Sequence, residues 1–108
     1  MKTEISLSRQ IAETIHSQIG AGRFMAMTGA RVLCIIQNGI AYSLPLDSQY
    51  VNDGINRIEI ELMPSDTYEM RAYKGSSVSL EHVKTEPMVY FDQLESTFTE
   101  ITGLFTRF

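Results

Sequence analysis

The sequence predicts an α+β fold, an antiparallel sheet of about four to five strands with an N-terminal and a C-terminal helix packed on one face. Three observations predict it. Apolar residues recur every four positions near the N-terminus, alternate with polar ones through the middle, and return to spacings of three and four near the C-terminus. Short turn signals between the alternating segments make neighbouring strands antiparallel. Helices at the two ends are then left to cover the apolar face.

The first helix is expected from about Leu7 to Ile19, where Leu7, Ile11, Ile15 and Ile19 form one stripe with Ala12 beside it. Ser6 or Ser8 can cap its start, and Gly20 is a natural left-handed stop. After the break at Gly20-Ala21-Gly22-Arg23, Phe24-Met25-Ala26-Met27 fits either another helical turn or a buried extended piece, closed by Thr28-Gly29. Asn38-Gly39 then supplies two positive φ angles for a type I′ hairpin. With that loop Gln37 pairs with Ile40, Ile35 with Tyr42, and Leu33 with Leu44. Val32, Cys34, Ile36, Ala41 and Ser43 share the other face, so both faces are apolar. Such a hairpin is expected at the centre of its sheet, or with one face covered by a partner.

Leu46 to Gly54 reads as loop. Ile58, Ile60 and Leu62 point inward while Arg57, Glu59 and Glu61 point out, and Pro64-Ser65-Asp66 turns the chain. Tyr68, Met70 and Ala72 alternate with Glu69, Arg71 and Tyr73, so Arg71 is expected to offset Glu59 and Glu61 on the wet face. Gly75-Ser76-Ser77, as a three-residue loop, sets Ala72 opposite Leu80 and Arg71 opposite Glu81. The last helix is expected between Pro87 and Thr102, with Met88, Phe91, Leu94, Phe98 and Ile101 as its stripe. Pro87 is one candidate for its first residue, and the capping-box spacing of Asp92 and Glu95 marks a later start. Gly103 stops it. Phe105 and Phe108 in the extended tail are costly to leave in water, which predicts packing on the body or on a second subunit.

A chain of 108 residues is the usual size of one domain, so residues 1–108 are expected to form a single core. The formal net charge of −4 argues against generic nucleic-acid binding, which draws on a cationic face. Charge is uneven: nine acids and three bases lie between Ile58 and Glu100, against four acids and six bases elsewhere. Such polarity biases docking toward a basic partner. One cysteine, Cys34, allows no intramolecular disulfide and fits a reducing compartment. No signal peptide or membrane-spanning run is visible, so the expectation is a cytoplasmic protein without membrane contact.

Chemistry-bearing patterns are scarce. His16 and His82 have no Cys or His neighbour at ligand spacing, so no metal site is expected. No Gly-x-Ser-x-Gly elbow surrounds any serine. Cys34 sits in an apolar run where a thiol stays protonated and inert. Gly20-Ala21-Gly22-Arg23 follows a helix and lacks a succeeding Gly-Lys-Ser/Thr, so it is a break and not a phosphate loop. No catalytic residue and no cofactor is expected. Phe24, Met25 and Met27 are adaptable apolar groups of the kind that serve repacking surfaces or fill cores.

The stretch Gly22-Arg23-Phe24-Met25-Ala26-Met27-Thr28-Gly29-Ala30, with Asp92-Gln93-Leu94, Phe98-Thr99-Glu100, Thr102-Gly103-Leu104 and Thr106, resembles a family of small proteins encoded by bacteriophages, plasmids and other mobile elements. The resemblance covers nearly the whole chain, including Asp66-Thr67-Tyr68. Arg31 stands where such proteins often have Lys, and Phe105 where they often have Tyr. The resemblance brings no activity with it. It implies a genetic context, an accessory product acting inside a bacterial host cell.

These readings together predict a non-enzymatic protein-binding accessory protein, with inhibition of a host defence complex as one form of that role. Its partner would be a host or mobile-element protein, and the apolar hairpin and aromatic tail predict a homodimer as well. Candidate contact residues are Arg23, Phe24, Met25, Met27, Glu59, Glu61, Glu69, Phe105 and Phe108. The alternative is a single-stranded nucleic-acid-binding accessory protein using Arg23, Arg31 and Tyr42 for phosphate contact and stacking. An enzyme is expected only if the fold shows a deep pocket with convergent polar groups.

Overall fold

The computed structural model of the chain describes residues 2–45, 51–76 and 78–104, residues 2–6 as backbone only. The elements are α1 (Lys2–Ile19), α2 (Ala21–Thr28), β1 (Arg31–Ile36), β2 (Gly39–Ser43), β3 (Arg57–Leu62), β4 (Tyr68–Ser76), β5 (Ser79–Val89) and α3 (Leu94–Thr102). Short 3₁₀ turns precede β3 at Asn52–Gly54 and α3 at Phe91–Gln93. The strands form one antiparallel sheet in chain order, β1-β2-β3-β4-β5. Ile40, Tyr42, Ile58, Ile60, Met70 and Ala72 line one face and join Ile15, Ile19, Phe24, Leu94, Phe98 and Ile101 of the helices in a single core. The expected α+β architecture is what forms.

The first helix begins earlier than its apolar stripe. Ser8 lies inside α1, and its Oγ accepts a hydrogen bond from the Asn38 backbone N–H at 3.2 Å instead of capping the helix. That bond ties α1 to the first hairpin. Gly20, at φ 115°, and Ala21, at φ 47°, break the chain between α1 and α2. The ambiguous Phe24–Met27 segment is helical.

Both helical segments that end in Thr-Gly use the same device. Thr28 Oγ donates to the Phe24 carbonyl at 2.8 Å and accepts from the Ala30 N–H at 3.1 Å. Thr102 Oγ donates to the Phe98 carbonyl at 2.8 Å and accepts from the Leu104 N–H at 3.1 Å. Each threonine is buried, and the glycine that follows takes a left-handed φ, 77° at Gly29 and 81° at Gly103. Phe24 and Phe98, four residues before the two threonines, meet edge to face at 4.8 Å between ring centroids.

The loop of the first hairpin lies one residue earlier than expected, which shifts the pairs beside it by two. Gln37-Asn38 form the loop, Ile36 faces Gly39, and Ile35 faces Ile40. Only Asn38 has a positive φ (59°), and Gly39 has joined β2. The reason for glycine there is steric: a Cβ on Gly39 would overlap the Ile60 carbonyl oxygen of β3. A bulge between Val32 and Cys34 makes Leu33 the extra residue, so Val32 opposite Tyr42 and Ile35 opposite Ile40 both take the helix side. The expected Leu33–Leu44 and Ile35–Tyr42 pairs do not form. The central position expected for the hairpin holds for β2 alone, because β1 is an edge strand.

The β4–β5 hairpin is also longer than expected. Gly75 takes φ 112° and lets β4 run on to Ser76, so Ser76 faces Ser79, Ala72 faces Lys84 and Arg71 faces Thr85. The Ala72–Leu80 and Arg71–Glu81 pairs are therefore replaced. Ser77 of the expected loop lies outside the described residues. Downstream, β5 continues through Pro87 to Val89, which an edge strand tolerates because no ladder partner needs the missing N–H. Met88 and Phe91 are 56% and 62% exposed, so the helical stripe shortens to Leu94, Phe98 and Ile101. Neither Pro87 nor the Asp92/Glu95 pair starts the helix. The Tyr90 N–H donates to Gln93 Oε1 (3.2 Å) while the Gln93 N–H donates to the Tyr90 carbonyl (2.8 Å).

A small change at a buried cap should cost more than a large one at the exposed turn. Thr102→Val leaves the Leu104 N–H without its acceptor and removes the side-chain donor to the Phe98 carbonyl, and should lose about 1–3 kcal/mol. Phe91→Ala removes a whole ring yet should cost under about 1 kcal/mol, because most of the ring is already in water. Urea denaturation of both variants checks the order.

Candidate interaction surface

The face of the sheet away from the helices is built by the outward residues of β2, β3 and β4. Arg57, Glu59 and Glu61 alternate with the core-facing isoleucines, and Glu69, Arg71 and Tyr73 do the same on β4. Glu61 and Glu69 are direct cross-strand neighbours, an unfavourable pairing of like charges. Arg71 relieves it. Its guanidinium reaches Glu69 at 2.7 Å, Glu61 at 2.9 Å and Glu59 at 3.2 Å, and Arg57 approaches Glu59 at 2.7 Å. Partial burial opposes the Arg71 charge, but the hydrogen bonds it donates to Glu69, Glu61 and Glu59 outweigh it and raise its pKa above the ordinary value. The expected offset of Glu59 and Glu61 by Arg71 is present. The same network makes Glu59, Glu61 and Glu69, all partly buried, an internally paired cluster with one carboxylate in excess instead of a bare acidic patch.

The remaining expected contact residues separate. Phe24 is fully buried and touches only the core, where it also packs edge-on to Tyr42 at 5.1 Å. Met25 and Met27 are half-buried, Met25 against the core. Arg23 is exposed and paired with Glu95 at 3.0 Å. Phe105 and Phe108 lie outside the described residues. Tyr42, expected to stack on a base, is fully buried with its hydroxyl 2.8 Å from His16 Nδ1. Burial raises the Tyr42 pKa well above its ordinary value. A buried tyrosine cannot stack on a nucleobase.

His82 hydrogen-bonds Thr85 at 2.6 Å, and among the described residues no group of three or more His, Cys, Asp or Glu side chains is placed to hold a metal. Every buried side-chain polar atom among them has a partner within the fold. Among the described residues no helix is long and apolar enough to cross a membrane.

Sequence reasoning missed what the edge position does to β1. Val32, Leu33 and Ile35 are 47%, 48% and 44% exposed, and Cys34 is exposed too, not sequestered. Beside them runs an open groove between Leu7, Ser8 and Arg9 of α1 and the Ile35–Asn38 end of the hairpin. The signal was present: an apolar run with no polar face and no charge from Val32 to Ile36. Edge strands are ordinarily blunted by charges or proline, and β5 is, with Glu81, His82, Lys84, Glu86 and Pro87 along it. In contrast, β1 carries only Arg31 at one end. Comparison with family models, curated proteins and solved structures found no match to this chain.

Two predictions follow from the charges and the buried phenol. Because burial holds the Tyr42 pKa above that of the unfolded chain, the folded state keeps a proton that the unfolded state releases above about pH 10. Stability should therefore be intact below pH ~10 and fall as pH climbs beyond it. In Tyr42→Phe the fall should be shallower, as urea midpoints at neutral and strongly alkaline pH will show. Arg71→Met leaves three partly buried carboxylates without their shared cation. It should cost about 1–2 kcal/mol at low salt, and less in molar KCl, where their repulsion is screened.

Proposed function

We propose that this chain is a non-enzymatic protein-binding accessory protein that docks through the edge of β1. The observation that carries this reading is the contrast between the two sheet edges, one guarded by charges and proline, the other apolar on both sides. A strand edge offers alternating backbone donors and acceptors, so a partner strand gains main-chain hydrogen bonds, while exposed side chains on either face supply specificity. Val32, Leu33 and Ile35 are the anchors of this surface.

The resemblance to proteins of phages and mobile elements supports a bacterial, cytoplasmic setting with a host or mobile-element protein as partner. Blocking a host defence complex is one activity such a surface can deliver, by covering or extending a sheet of that complex. The single-stranded nucleic-acid reading loses its stacking residue to the core, and the helix-free face presents three carboxylates against two guanidiniums.

Tagged protein incubated with bacterial lysate should enrich a small set of proteins. Ile35→Lys should lose them, and Leu80→Lys on the guarded edge should keep them. Retention of the same proteins by Ile35→Lys refutes β1 as the docking edge, and enrichment of nucleic acid in place of protein refutes the reading altogether.

A further inference from the structure

We propose that a second copy of this chain occupies the β1 edge, pairing β1 with β1 antiparallel across a two-fold axis and joining two five-stranded sheets into one of ten strands. This rests on the reading of β1 as the docking edge: β1 has one free side, so a second copy and a host strand compete for it, and the second copy is its occupant in the isolated protein. A two-fold interface is self-complementary, so each feature of the strand must suit its own copy.

The faces match in the one register that pairs all six residues of β1. Val32 and Ile35 take the helix side of the sheet through the bulge at Leu33, whereas Arg31 and Ile36, opposite Ser43 and Gly39, take the helix-free side. An axis between Leu33 and Cys34 sets Val32 of one copy opposite Ile35 of the other and Arg31 opposite Ile36. Helix-side residues then meet helix-side residues. Shifting the axis onto Cys34 would set Val32 opposite Ile36, across faces, so the bulge selects the first register.

Charge selects the antiparallel direction. Arg31 is the one charge on β1. A parallel pair would place the two arginines side by side. The antiparallel pair sets them five residues apart along the strands, about 17 Å at ~3.4 Å per residue, beyond the Debye length of about 8 Å at physiological salt. It also sets each arginine on a favourable row. The cross-strand row runs from Arg31 of one copy to Ile36, Gly39 and Glu61 of the other, all on the helix-free side. Gly39 interposes no side chain, so each lone β1 cation faces the carboxylate cluster of the other protomer.

The contact extends past the strand. Specific dimers cover about 800 Å² per partner, more than one six-residue edge supplies. On the helix side the β1 edge is continuous with the groove under α1, where Leu7 is 51% exposed, so pairing brings the partner's Val32 toward both Ile35 and Leu7.

Sedimentation of the full chain at micromolar concentration should give twice the chain mass. Ile35→Lys should weaken dimerisation at least about tenfold and Leu80→Lys should leave it unchanged, both with wild-type circular dichroism, since each side chain is exposed in the monomer. The two Cys34 thiols would lie one strand spacing and one residue step apart, with Cα atoms about 6 Å from each other, so a short bismaleimide should trap a covalent dimer in wild type and not in Ile35→Lys. A wild-type monomer, or a dimer indifferent to Ile35→Lys, overturns the proposal. If the chain is monomeric and Ile35→Lys still abolishes capture of other proteins, the second copy is wrong and the docking edge stands. If Ile35→Lys alters neither, both fall.

Discussion

The edge-to-face contact of Phe24 with Phe98 joins helices that are 74 residues apart in sequence and makes the two-layer body possible. Tyr42 of β2 meets Phe24 from the sheet side, so the three rings connect α2, α3 and the second strand beneath one surface. Aromatic pairs of this kind add about 0.5–1.5 kcal/mol beyond the area they remove from water. Their placement depends on where α2 and α3 stop. Each helix ends one turn after its phenylalanine at a buried threonine that folds back on the phenylalanine carbonyl, and a left-handed glycine then turns the chain away. A helix that ran on past either glycine would carry the chain away from the core.

The same geometry accounts for the two Thr-Gly segments that end α2 and α3. Phe24, Thr28, Gly29 and Ala30 on one side, and Phe98, Thr102, Gly103 and Leu104 on the other, are equivalent parts of two helix ends. Their chemistry is spent on satisfying backbone groups in the interior, as buried polar groups require. The motif of this chain is therefore architectural.

Much of this body was legible because it rests on local periodicity. The stripe Ile11–Ile15–Ile19, the alternation Ile58–Ile60–Leu62 and the left-handed glycines at 20, 29 and 103 each report on a few neighbouring residues. Register was less legible, for reasons that lie elsewhere in the chain. Asn38-Gly39 reads as two turn residues, yet Gly39 is needed because β3 comes too close for a side chain. Gly75 reads as a turn and is a strand residue at φ 112°. Phe91 continues a helical spacing but precedes the helix, since β5 runs through Pro87 and delays its start. The face of Glu59, Glu61 and Glu69 was placed correctly, while its pairing with Arg71 and Arg57 depends on cross-strand distances that spacing alone does not give.

The strand order is what converts an apolar hairpin into an exposed edge. In a meander the first and last strands each lack one neighbour, and the chain treats its two edges differently. Along β5, charged side chains and a proline raise the cost of bringing a second strand alongside, because charges would be desolvated and one backbone hydrogen bond is missing. Along β1 neither cost arises. Burying Val32, Leu33 and Ile35 releases water from surface that folding left exposed. An unguarded edge of this composition invites indiscriminate pairing unless something occupies it in a fixed register. In the pairing proposed above, the bulge at Leu33 would set which faces meet and the single charge at Arg31 which direction the strands run.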